Sequence, residues 1–161
     1  RADRFTIFLN PNFDSQRSGY HINQAFLAIG SGGFFGRGFG ESRQKFQYLP
    51  EVAGDSIFAV MAEELGFLSV MLLIGAFLLL LYRGFRIAAN APDAFGKLVA
   101  AGITTWVVAQ AFLNVMAMTG LVPLTGLPLP FISHGNTSLV VILAAMGILT
   151  NISQESKVAR S

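Results

Sequence analysis

The chain has 161 residues, 53% of them hydrophobic and only 12% charged, with a formal net charge of +2 and no cysteine. Soluble domains carry roughly 25% charged residues, so the composition excludes an ordinary soluble domain and indicates an integral membrane protein. The small charge, with no long basic run, excludes a nucleic-acid partner, and the missing cysteines exclude disulfides, thiol catalysis and cysteine-ligated metal within this chain.

Residues 1–56 are mixed and polar, with many glycines and turn formers. The chain opens at Arg1 inside this polar segment, without an initiator Met or a signal peptide, and is expected to be the C-terminal part of a longer protein. Ile22, Phe26 and Ile29 recur at helical spacing with His21, Asn23 and Gln24 on other faces, which predicts a short amphipathic helix on the membrane surface. Three hydrophobic segments follow, predicted as transmembrane helices over 57–82, 98–119 and 133–152. A span needs about 20 apolar residues to cross a hydrocarbon core of about 30 Å. The first two segments meet that length. In the third, the apolar stretch 139–152 gives only about 21 Å of helix, so spanning requires Ser133, His134, Asn136, Thr137 and Ser138 to enter the membrane, facing a bundle interior or a wet cavity. The link 120–132 carries Pro123, Pro128 and Pro130 yet stays apolar, which predicts a re-entrant or surface-hugging loop packed against protein.

Arg83, Arg86 and Lys97 in the link 83–97, and Lys157 and Arg160 in the tail 153–161, place both on the cytoplasmic side by the positive-inside rule. Residues 1–56 and 120–132 are then extracellular. The expected fold is an all-α membrane protein: a polytopic helical bundle of three transmembrane helices with a large extracellular loop.

Within that loop, "GSGGFFGRGFGES" at 30–42 invites a phosphate-loop reading, but neither G-x-G-x-x-G nor G-x-x-x-x-G-K-[ST] is present. The alternatives are a tightly turning loop that lets backbone approach something closely, or an anion contact supported by Arg37, Arg43 and Lys45. Asp55 stands where the first span begins, as a helix N-cap; a helix N-terminus also favours the ionised carboxylate that accepts a proton or holds a cation. Glu63 and Glu64 lie about 12–14 Å further along if that segment is helical. Carboxylates inside a span mark either a functional site or an ion pair with a basic residue. Gln110 and Asn114, four apart, share a face of the second span with Trp106, a pattern of interhelical hydrogen bonding or of ligand contact.

Two ordered motifs, "AIGSGGFFGRGFGESRQKFQYLPEVAGDSIFAVMAEELGF" and "PLTGLPLPFISHGNTSLV", closely resemble the SEDS family of FtsW, RodA and SpoVE proteins. The likeness runs from the region of Asn10 and Pro11 into the third span. In family terms the chain would be the large extracellular loop and the last three of ten transmembrane helices, in the bacterial inner membrane. The resemblance implies a peptidoglycan glycosyltransferase that polymerises lipid II, working with a class B penicillin-binding protein and other divisome or elongasome membrane proteins. The family's essential aspartate, set in Pro-Glu-x-x-Thr-Asp-Phe, falls on Asp55. Here the stretch reads Pro50-Glu51-Val52-Ala53-Gly54-Asp55-Ser56, with Ala53-Gly54 and Ser56 departing from the pattern. In the second motif His134-Gly135-Asn136-Thr137 replaces the more usual Tyr-Gly-Gly-Ser.

Such a reaction displaces a lipid diphosphate, already a good leaving group, so it needs a base at the acceptor hydroxyl and positive charge near the diphosphate rather than a strong acid. Asp55 is expected to be that base, or alternatively to hold a divalent cation such as Mg or Mn against the diphosphate. Arg37, Ser42, Gln44, Lys45, Glu51, Glu64 and Ser133 are expected to contact substrate. Competing readings are a lipid II flippase, for which Glu63, Glu64 and Gln110 would line a path, and a non-catalytic scaffold for a penicillin-binding protein.

Overall fold

The computed structural model describes Leu27 and residues 30–38, 57–123, 125–133 and 135–158. The described residues form three helices and no strand: α1 (Ile57–Asn90), α2 (Ala94–Met118) and α3 (Asn136–Val158). All three are long and apolar enough to cross a membrane. Most large apolar side chains on their outer faces, among them Leu72, Leu79, Leu98 and Val140, are exposed. That is the surface expected where lipid or further helices, rather than water, surround the bundle. The fold is a helical, polytopic membrane bundle.

α1 is not one helix in its backbone. Gly66 adopts φ 75°, ψ −174°, which separates residues 57–65 from 67–90. The second part alone gives about 36 Å of helix, enough for a hydrocarbon core of about 30 Å. It also runs further than the expected boundary at Tyr82. No proline intervenes before Pro92, Asn90 Nδ2 donates back to the Arg86 carbonyl at 2.7 Å, and Ala88 and Ala91 bury against Ala100 of α2 and Leu149 and Ile152 of α3. The expected link 83–97 therefore shrinks to residues 91–93. Asp93 caps α2, its Oδ2 accepting the Gly96 amide at 2.9 Å, so α2 starts at Ala94 rather than at 98.

A second core cluster closes the opposite end of the bundle. Phe58 and Ala59 from residues 57–65, and Phe77 from the long part of α1, pack with Ala111 and Met118 of α2 and Leu129 of the connecting loop. Between the clusters, Gly84 lets α1 approach Thr104 of α2 so closely that a Cβ there would overlap the threonine side chain. α2 ends in a Schellman arrangement, with the Leu121 amide on the Met116 carbonyl (2.8 Å) and the Gly120 amide on Ala117 (3.2 Å). α3 begins at Asn136, later than expected, and gains its length instead at its far end, where a membrane-length stretch covers Thr137–Ser156.

Candidate functional site

The glycine loop and the break in α1 form one unit. A broken helix leaves carbonyls without partners on one side and amides on the other, and in lipid each such group costs several kcal/mol. The loop 33–38 supplies the partners. Arg37 and Gly38 donate their amides to the Glu63 and Glu64 carbonyls at 3.0 and 3.1 Å, and Phe67 and Leu68 donate to the Gly33 and Phe34 carbonyls at 3.0 and 3.4 Å. The exchange requires backbone to meet backbone. Added Cβ atoms would drive Gly36 into the Glu64 carbonyl and Gly66 into the backbone of Phe35 and Gly36. The φ and ψ of Gly66 also lie in a region that is essentially glycine's alone.

Charge gathers at the same place. Glu63 is 1% exposed and Glu64 6%. Arg37 Nη1 lies 3.9 Å from Glu63 Oε1, and Arg37 Nε donates to the Ser31 carbonyl at 3.2 Å. Of the two readings offered by the sequence for these carboxylates, the geometry gives Glu63 a basic neighbour within this chain. Both glutamates belong to the short segment before Gly66, so neither is carried by the long helix 67–90. Phe34 and Phe35 sit edge to face at 5.6 Å, with Phe67 at 5.7 Å from Phe34, and all three remain exposed beside the break.

The proline loop is pinned to α2 by side chains. Asn114 Nδ2 donates to the Leu127 carbonyl at 2.7 Å and Gln110 Nε2 to the Pro128 carbonyl at 2.9 Å. The amide face of α2 thus holds irregular backbone rather than a neighbouring helix, and Trp106 on the same face stays 44% exposed. Pro130 and Phe131 turn the chain, Phe131 at φ 67°. The Leu129 carbonyl accepts the Ile132 and Ser133 amides at 3.3 and 3.0 Å, and Ser133 Oγ accepts the Leu129 amide at 2.8 Å. Pro130, Phe131 and Ile132 face Leu73, Phe77 and Leu80 of α1 across an apolar groove of about 150 Å³.

Of the residues expected to act on substrate, Arg37 and Glu64 both lie at the helix break, where Arg37 faces Glu63 rather than Glu64, and Ser133 lies in the proline loop; Asp55, Ser42, Gln44, Lys45 and Glu51 lie outside the described residues, as does the proposed surface helix at Ile22, Phe26 and Ile29. Among the described residues no three His, Asp or Glu side chains gather as a metal-binding group.

A family model described as "Cell cycle protein", FtsW/RodA/SpoVE, matches residues 1–158. The chain belongs to the FtsW/RodA/SpoVE family. Stage V sporulation protein E of Bacillus subtilis (strain 168) is 48% identical over 157 residues, which cover 98% of this chain and 43% of that protein. A protein named probable peptidoglycan glycosyltransferase FtsW, from Trichlorobacter lovleyi, is 47% identical over 99% of this chain and 42% of its own length. The chain therefore spans less than half the length of these curated relatives. Among solved structures, a chain from work described as "Structural coordination of polymerization and crosslinking by a peptidoglycan synthase complex" superposes with a TM-score of 0.77 at 30% identity, over 96% of this chain and 41% of that one. The family accounts for the two sequence motifs, and the three apolar helices mark this member as a multi-pass membrane protein.

Proposed function

We propose that this FtsW/RodA/SpoVE-family chain is part of a peptidoglycan glycosyltransferase of the bacterial inner membrane, one that polymerises lipid II alongside a class B penicillin-binding protein. The observation that carries this reading is the 45–47% identity, over 95–99% of the chain, to proteins named probable peptidoglycan glycosyltransferase. The likeness to a chain from a peptidoglycan synthase complex supports the partner. Asp55 is the general base that takes the proton of the acceptor sugar hydroxyl as that oxygen attacks the anomeric carbon and the lipid diphosphate leaves. Arg43 and Lys45 supply positive charge at the diphosphate. The apolar groove between α1 and the proline loop suits an isoprenoid chain in chemistry.

The flippase reading draws less support, since Glu63 and Glu64 sit together at the helix break rather than spread along the span 67–90. The experiment is polymerisation of purified lipid II by the full-length protein carrying Asp55→Asn. Asparagine caps a helix as well as aspartate does but cannot take the proton, so a fall of about 100-fold or more in rate is expected. A near wild-type rate would leave Asp55 as a cap alone. Adding a chelator to the wild-type protein separates the roles: an unchanged rate fits the base, and a collapse restored by Mg or Mn fits a metal ligand.

A further inference from the structure

Asp55 precedes the start of α1 at Ile57 by two residues in the sequence. Whatever fixes the direction of residues 57–65 therefore sets the helix start that follows Asp55 in the chain. The membrane-length part of α1 does not fix it alone, because the helix is interrupted at Gly66. Apolar packing of Phe58 and Ala59 on α2 supplies one restraint. The glycine loop supplies the other, through its four backbone hydrogen bonds and through Arg37, whose guanidinium spans from the Ser31 carbonyl to the Glu63 carboxylate.

We propose that Arg37 and Glu63 form a latch that holds the glycine loop in the helix break and thereby aims residues 57–65, which makes both of them positioning residues for Asp55. The proposal rests on the reading of Asp55 as the reacting carboxylate. Three features favour it over a decorative ion pair. Glu63 is 1% exposed, and a carboxylate is buried this deeply only when paired. Arg37 reaches it from a loop that already docks through its own amide on the Glu63 carbonyl, so one residue pair is tied by both backbone and side chain. Finally, the pair lies on the Asp55 side of the break, where a small rotation of residues 57–65 is not damped by the long helix.

The test uses the full-length protein reconstituted with lipid II. Arg37→Ala and Glu63→Gln are expected to lower kcat by about 10- to 100-fold, the cost of a misplacement of about 1 Å, with KM changed by less than about twofold. A rise in KM with kcat unchanged overturns the latch and makes Arg37 a substrate contact. The double exchange Arg37→Glu with Glu63→Arg is expected to recover at least about tenfold over either single variant; no recovery counts against the proposal.

A second measurement is independent of the fate of the charge variants. The chain has no cysteine, and the rings of Phe34 and Phe67 are 5.7 Å apart. Phe34→Cys with Phe67→Cys, in a full-length background without other cysteines, should be joined by a short thiol-specific cross-linker. The locked protein is expected to keep its rate and to restore that of Arg37→Ala; inactivity when locked, or failure to restore, overturns the latch. Cross-linking yield also separates this proposal from the role of Asp55. If Asp55→Asn is active the base assignment falls, while a several-fold lower yield in Glu63→Gln still supports the latch and an unchanged yield sinks it.

Discussion

Two stretches of irregular backbone lie against the helices of this bundle, and they are held in different ways. At the break in α1, the loop 33–38 pairs main chain with main chain. Along α2, the proline loop is held by two side-chain amides, Asn114 on Leu127 and Gln110 on Pro128. Both meet the requirement that polar backbone beside lipid be satisfied within the protein. The difference lies in what each demands of the sequence. Main-chain pairing needs the absence of side chains at the crossing, so it depends on Gly36 and Gly66. Side-chain pinning needs a particular amide and leaves the loop free to use proline, which has no amide hydrogen to satisfy.

This contrast predicts where single substitutions hurt most. Gly66→Ala should have the largest effect, because it forces alanine into a glycine-only backbone region at about 1–3 kcal/mol and also drives a Cβ into the backbone of Phe35 and Gly36. Together with weakened loop hydrogen bonds, each worth about 0.5–1.5 kcal/mol, the loss should reach about 3 kcal/mol or more, read as a fall in Tm in detergent. Gly36→Ala presses on the same crossing from the other side. The double variant should therefore be clearly less destabilised than the sum of the singles. Full additivity would show that the two glycines act separately and that the loop does not dock in the break.

Side-chain pinning should fail more gently. Asn114 is 1% exposed and holds the Leu127 carbonyl, so Asn114→Leu should cost about 1–3 kcal/mol through an unsatisfied carbonyl and imperfect packing. Gln110 is 9% exposed, close enough to the surface for its loss to be partly compensated, and Gln110→Leu should cost less. Protection of the loop against proteolysis should fall in the same order. A loss at Asn114 matching that at Gly66 would erase the distinction between the two ways of holding backbone.

The two regions were also unequally legible in the sequence. Two membrane helices follow directly from apolar length, the third only once polar residues beside its apolar stretch are carried into the span, and the apolar, proline-rich loop is expected to pack against protein. The glycine run was readable as backbone meant for close approach, but its partner was not. Gly66 and Gly75 stand in the same apolar run and Gly84 just beyond its end, a helical glycine costs only about 1 kcal/mol, and only the first of the three breaks the helix. What singles it out is a loop about thirty residues upstream, which no local pattern reports. The same gap affected the charges: Glu63 and Glu64 look as if they sit inside a span until the break sets them before it. The amides of Gln110 and Asn114 were visible as a stripe, yet a stripe does not say whether a helix or a loop carbonyl will face it. Hydropathy ends a helix too early where polar residues stay helical, as at Arg83 and Arg86, because it tracks where apolar residues stop rather than where hydrogen bonding stops.

The smallest effect belongs to the third helix end, which needs neither a docked loop nor a distant amide. Asp93 satisfies the start of α2 by itself, Oδ2 on the Gly96 amide at 2.9 Å, while its own carbonyl accepts the Lys97 amide at 3.2 Å. Asp93 is exposed, so water can replace part of what a substitution removes. Asp93→Ala should cost about 0.5–1 kcal/mol and Asp93→Ser only a few tenths, since serine caps nearly as well. Neither should alter cross-linking between positions 34 and 67, because the cap lies at the far end of α1 and α2 from the break. A change there would mean that the two ends of the bundle are mechanically coupled through Gly84 and Thr104, and that the break is set by the whole helix pair rather than by the loop docked in it.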